Sequence, residues 1–281
     1  MKKFASHLSA GKLKLSLMAL LIGGLLFSCQ PTGSNNDSST KKEKKGGVIS
    51  YEHSDLKLKD GEVESYGYSH NTQDTWEVVA GHTQSPIQIK SSDAVPMRDS
   101  GLIDMYKNIS LKSVTDEKTT LFAEVASNTT INGRSFDLIQ FHFHSPAEHV
   151  VDGITYDLEL HFVHISQSGR LAVLGVLIKE GAFNPTFQVL LDALKDPSTA
   201  PATLDVTPLF PTNLNYFHYL GSLTTPPLTE NVEWQVFAQP IEISAEQLAA
   251  YRAHEHYNNT ARHTQPLNGR ALLNANAEGL K

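Results

Sequence analysis

The feature that most constrains this chain is a pair of alternating segments, Gln140-Phe141-His142-Phe143-His144 and Glu159-Leu160-His161-Phe162-Val163-His164. Side chains on an extended strand alternate faces, so Gln140, His142 and His144 point one way while Phe141 and Phe143 point the other. The second segment places Glu159, His161 and Val163 on one face and Leu160, Phe162 and His164 on the opposite one. A chain built on this pattern folds around a sheet. If the two strands are neighbours, His161 joins His142 and His144 in a three-imidazole cluster.

Three neutral imidazoles suit Zn2+, and a three-ligand site leaves the fourth tetrahedral position to water, which marks catalytic rather than closed structural sites. No thiolate is at hand to close it, because the single cysteine is Cys29. Ligating histidines give their other ring N–H to a carboxylate, amide or carbonyl. Gln140 and Glu159 each lie two residues before a candidate ligand, on its face, and are the expected outer partners. Taken alone, the segments also fit an apolar strand pair with satisfied core histidines.

Around them the chain reads mostly as strands: Pro86 to Lys90, Ile109 to Val114, Thr119 to Ala126, Leu138 to His144, Leu158 to Ser166, Leu171 to Ile178 and Glu233 to Ala238. Turn residues such as Asn132-Gly133 and Ser168-Gly169 separate them, and Gln167 to Arg170 reads as a hairpin loop. Two helices are expected. Asn184 caps one with Pro185 in its first turn, running to about Lys195, and Ser244 with Gln247 forms a capping box for another ending near His254. The predicted fold class is α+β, predominantly β: one domain on a large, mostly antiparallel twisted sheet with a few short peripheral helices. A formal net charge of -7 without a basic cluster in the body of the chain argues against nucleic acid as a partner.

The N-terminus reads as a processing signal. Lys2, Lys3, Lys12 and Lys14 precede the apolar run Leu15 to Phe27, too short for a comfortable membrane span. The run ends in Leu26-Phe27-Ser28-Cys29, which resembles a bacterial lipoprotein box in which the cysteine becomes the lipidated first residue. Residues 1–28 are thus expected to be a lipoprotein signal peptide and residues 29–47 a flexible tether from lipidated Cys29, poor in apolar residues. The expected location is the cell envelope, lipid-anchored to a membrane and either periplasmic or surface-exposed. Residues 48–281 remain for the folded domain.

The two histidine segments, with Glu148-His149 between them and Gly221-Ser222-Leu223-Thr224-Thr225-Pro226-Pro227 further on, resemble the signature segments of an α-class carbonic anhydrase. Tyr66-Gly67-Tyr68, Gln84-Ser85-Pro86, Leu171-Ala172-Val173-Leu174-Gly175, Trp234 and Gln265-Pro266-Leu267 support the likeness in the family's order, over about residues 64 to 275. The resemblance implies reversible hydration of CO2 to bicarbonate and a proton, by attack of zinc hydroxide on CO2. It implies His142, His144 and His161 as zinc ligands and Thr224, Glu148 and Tyr68 as catalytic residues, with Thr224 linking the hydroxide to Glu148. Val163, Val173, Leu223, Thr225, Val232 and Trp234 would line the substrate pocket. Read without the resemblance, Glu148 fits an ordinary turn acid equally well, and Thr224-Thr225 before two prolines fits a rigid turn.

Two departures from the family stand out. Many members carry a proton-shuttling histidine in an Asn-Gly-His stretch, where this chain reads Thr115-Asp116-Glu117-Lys118. A lysine is poorly matched to passing protons near neutral pH. Lys118 and His70 are the candidate shuttles, though an exposed surface role is the favoured reading for His70. Secreted members also often staple the loop after the Thr-Thr-Pro-Pro turn by a disulfide, but Leu228 occupies that position here, so the loop's rigidity is in question. Two other classes fit parts of the pattern. His142-Phe143-His144 with Glu148 matches the first half of a cupin metal motif, whose second half is absent. A catalytically weak or inactive carbonic-anhydrase-like surface binding module is the other, though such modules typically lack a zinc histidine.

Overall fold

The computed structural model describes residues 70–76 and 81–275. The leader, Cys29, the tether and Tyr68 lie outside the described residues.

In chain order the strands are β1 (Gln88–Ile89), β2 (Val95–Pro96), β3 (Asn108–Asp116), β4 (Leu121–Ile131), β5 (Arg134–His144), β6 (Val150–Val151), β7 (Ile154–Thr155), β8 (Leu158–Ile165) and β9 (Leu171–Glu180). After helix α1 (Pro185–Lys195) come β10 (Thr203–Asp205), β11 (Tyr216–Ser222), β12 (Glu230–Phe237), β13 (Ile241–Ile243), helix α2 (Ala245–Arg252) and β14 (Leu273–Ala275). One large sheet runs β10-β3-β4-β5-β8-β9-β12-β11-β14-β2, with β13 added beside β9. The strands from β3 through β9 pair antiparallel, joined by turns such as Asn132-Gly133, where both residues have positive φ as a tight hairpin requires. The sheet is nevertheless mixed: β9 pairs parallel with β12 and β13, and β14 with β2. The long excursion through α1, β10 and β11 is the crossover that a parallel neighbour needs.

Both helices begin where their caps predict. The Asn184 side chain accepts from the Phe187 N–H at the start of α1, and Ser244 and Gln247 form the capping box of α2. The helix α2 ends at Arg252, slightly before the expected His254. The strand β11 has no counterpart in the sequence reading, because it is covered on both sides over most of its length and shows no clean alternation.

The register of β5 against β8 pairs Phe141 with Phe162, His142 with His161, Phe143 with Leu160 and His144 with Glu159. The two faces diverge at once. Phe141, Phe143, Leu160 and Phe162 are wholly buried in the larger apolar core, where Phe143 meets Phe187 of α1 at 5.4 Å between ring centroids. Each such ring contributes roughly 1.5–3 kcal/mol by burial. The opposite face carries the histidines, bordered by a second apolar cluster that includes Val163, Val173, Val232 and Trp234.

Candidate metal centre

Alternation within β5 and the cross-strand pair His142–His161 bring three imidazoles together, offering one ring nitrogen each within 4.8 Å of one another. The other ring nitrogen of each is spoken for. His142 Nδ1 lies 2.9 Å from Gln140 Oε1, His144 Nδ1 lies 2.8 Å from the Thr260 carbonyl, and His161 Nε2 lies 3.0 Å from Glu159 Oε1. Each of those partner oxygens only accepts, so each ring's proton sits on the bonded nitrogen. The lone pairs of His142 Nε2, His144 Nε2 and His161 Nδ1 are left to converge. Burial, together with the neighbouring rings, holds all three imidazoles below their ordinary range, so they are neutral donors at neutral pH.

Glu159, wholly buried, is the hub beneath them. Its Oε2 accepts the N–H groups of Glu148 and His149, and its Oε1 takes His149 Nδ1 at 2.7 Å as well as His161. Burial pushes this carboxyl up, but His149 and His161 outweigh it and hold the group well below the usual carboxylate range. His149, Glu159 and His161 could also be drawn as a metal trio. Their atoms already sit at hydrogen-bond separations, so that trio is a proton-sharing chain, continued by His149 Nε2 to the Tyr219 hydroxyl at 2.7 Å.

Glu148 is 1 % exposed and closes the cluster from the other side. Its Oε1 accepts the Arg262 N–H at 2.9 Å, and Thr224, also buried, hydrogen-bonds to the same carboxyl. Burial raises the Glu148 carboxyl, against the pull of His161, Arg262 and Thr224. Its Oε2 lies 3.6 Å from His144 Nε2 and 3.9 Å from His161 Nδ1 and has no hydrogen-bond partner, and neither has His144 Nε2. A buried polar atom left unpaired in a native fold calls for an explanation, such as a catalytic role or a bound ion. Val163, Val173, Val232 and Trp234 are buried in one apolar cluster, with Leu223 packed against it. Thr225 is half-buried beside Thr224, on the turn that continues from β11.

The shuttle candidates fare differently from their reading in sequence. His70 is 8 % exposed rather than a surface group, set edge-on to Trp76 at 5.4 Å. Burial holds it down to about 3, which makes it a weak base near neutral pH. Lys118 sits in the turn between β3 and β4, with positive φ and its N–H donating to Asp116. The loop that lacks a disulfide is held instead by Leu228, 1 % exposed, whose N–H donates to the Thr225 carbonyl and whose carbonyl accepts from Gln84. Thr260, Arg262 and Tyr219 were not singled out from sequence, because contacts made across 70 residues or more leave no periodic trace.

Residues 69–276 match the family model described as eukaryotic-type carbonic anhydrase. The chain is 39% identical over 204 residues to a carbonic anhydrase of Nostoc sp., covering 69% of this chain and 76% of that protein. It is 37% identical over 225 residues to mouse carbonic anhydrase 1, covering 66% and 85%. Among solved structures, the α-carbonic anhydrase of Thermovibrio ammonificans in complex with the inhibitor sulfanilamide superposes with a TM-score of 0.62 at 36% identity, covering 69% of this chain and 87% of that one.

Proposed function

The chain belongs to the eukaryotic-type, or α-class, carbonic anhydrase family, and from that premise we propose that it interconverts CO2 and bicarbonate at a zinc centre held by His142, His144 and His161. The observation that carries the zinc assignment is the set of three convergent imidazole lone pairs, of which buried His144 Nε2 has no hydrogen-bond partner, beside the equally unpartnered Glu148 Oε2. Three neutral nitrogens leave a bound zinc its full double charge, and the chemistry it supplies is to acidify a coordinated water into a nucleophile near neutral pH.

This chain's own residues do the rest. Gln140, Thr260 and Glu159 fix the tautomer and tilt of the three rings. Glu148, pinned by the Arg262 N–H, accepts from Thr224, which commits the threonine's only hydrogen. The Thr224 oxygen is thereby left as an acceptor, so it orients a nucleophile's O–H and turns its lone pair toward substrate. Val163, Val173, Leu223, Val232 and Trp234 offer an apolar wall suited to CO2, which has no net dipole to satisfy. Tyr68 is proposed as a further catalytic residue on the family pattern alone.

Stopped-flow CO2 hydration, with and without a zinc chelator and beside His142→Ala, tests the reading. Fast hydration lost in both controls is the expected result. A folded, zinc-loaded protein without hydration would instead indicate a carbonic-anhydrase-like binding module. We also propose that residues 1–28 are a lipoprotein leader, residues 29–47 a tether from lipidated Cys29 and residues 48–281 the enzyme domain, held in the cell envelope. The support is the basic start, the apolar run and the lone cysteine at its end. Incorporation of labelled palmitate, lost in Cys29→Ser, is the expected outcome.

A further inference from the structure

The ligand segment His142-Phe143-His144 is secured unequally on its two sides. Toward β8 the ladder is unbroken, pairing His142 with His161, Phe143 with Leu160 and His144 with Glu159. Toward β4 it stops at Phe122–His142, one residue short of Phe143. The next rung is made by a side chain. The Thr120 hydroxyl donates to the Phe143 carbonyl at 2.7 Å, while the same oxygen accepts the Phe143 N–H at 2.9 Å. The Leu121 carbonyl, 3.0 Å away, is a second and longer acceptor for that hydrogen.

Thr120 is itself well placed to hold still. It closes the turn between β3 and β4, where the Glu117 N–H donates to the Thr120 carbonyl at 3.1 Å and the Thr119 N–H to the Glu117 carbonyl at 2.8 Å. Asp116 accepts the Lys118 N–H in the same turn, and Thr115 donates to Glu117. The Phe143 side chain is locked on the far face by Phe187 at 5.4 Å and Tyr251 at 5.9 Å between centroids. With the ring fixed in the core, the backbone of Phe143 decides how His142 and His144 present their imidazoles, whose centroids stand 5.0 Å apart.

We propose that Thr120 is a positioning residue for the metal centre: its hydroxyl replaces a missing backbone rung, fixes the peptide between two ligands and so sets their mutual geometry. The turn that carries Lys118 thus also anchors the ligand strand. This inference rests on the reading that His142, His144 and His161 hold zinc. A valine keeps the branched shape and removes the hydroxyl, leaving both polar groups of the wholly buried Phe143 without that partner.

The test compares the full-length wild type with Thr120→Val, Thr120→Ala and Thr120→Ser, reading zinc affinity by competition with a chromophoric chelator and ligand geometry by the visible spectrum of the cobalt-substituted proteins. Thr120→Val and Thr120→Ala are expected to bind zinc about 10- to 100-fold more weakly, the range for losing an outer partner of a ligand, with an altered cobalt spectrum. Thr120→Ser is expected to restore both. Wild-type affinity and spectrum in a folded Thr120→Val or Thr120→Ala would overturn the proposal, as would a serine variant no better than the valine. Should Thr120→Val fail to fold, the alanine and serine variants still decide. Failure of the zinc reading itself looks different: the wild type and every variant would then take up no zinc.

Discussion

The strands β5 and β8 have two faces, and they do opposite things with the same backbone. On one, Phe141, Phe143, Leu160 and Phe162 are wholly buried in the larger core. On the other, His142, His144 and His161 gather with one ring nitrogen each turned toward a common point, and His144 Nε2 and Glu148 Oε2 there are buried without a hydrogen-bond partner. The first face stabilises the sheet by excluding water. The second is costly to assemble, because buried polar atoms without partners lose hydration, and it persists because the first face and the Glu159 hub hold it in place. Stability and chemistry are separated by one residue of strand register.

That separation can be broken from the apolar side first. Phe162→Ala opens a cavity beneath Phe141 and Phe210, which lie 5.2 and 4.7 Å from its ring centroid. Denaturant unfolding should show a loss of about 3–5 kcal/mol, while zinc affinity of the molecules that remain folded changes little. Thr224→Val attacks the other face alone. Turnover in CO2 hydration should fall about a hundredfold, on the scale of removing one oriented hydrogen bond from a reacting site, with the unfolding midpoint nearly unchanged. Glu159→Gln tests the hub between the faces, and chelator competition should find zinc bound about 10- to 100-fold more weakly.

The smallest effect sharpens the comparison through pH. His164 lies on the core face, 3.2 Å from the Tyr106 hydroxyl, and burial holds it down to about 4. In the unfolded chain it titrates near its ordinary value of about 6.5. Between those values the unfolded state binds a proton that the folded state refuses, so its effect is absent above about pH 6.5 and stability falls as pH drops toward 4. Unfolding of the metal-free protein at a series of pH values should show that decline, and a shallower one in His164→Gln.

Much of this was legible in the order of residues, and the reason is periodicity. Alternation in Gln140 to His144 and Glu159 to His164 identifies both faces of the central strands, and Asn184 and Ser244 announce the helices they cap. What escaped has no period. Thr260 and Arg262 reach the site through a carbonyl and an amide brought from 116 and 114 residues away. Thr120 acts by replacing a rung whose absence only the paired strands reveal. His70, read as a surface group, is buried, with its ring set against Trp76, a placement that no local pattern encodes. The parallel joins of β9 to β12 and β13 depend on where a long crossover returns.

The proposed zinc centre requires the histidine face of β5 and β8 to present three imidazole nitrogens to one ion. X-ray absorption at the zinc edge of the purified full-length protein reads that arrangement out. The predicted result is one zinc per chain in a four-coordinate shell of light atoms at about 2.0–2.1 Å, with the multiple-scattering signature of three imidazoles reduced in His161→Ala. A zinc shell with fewer imidazoles in the wild type, or an unchanged one in His161→Ala, would contradict it.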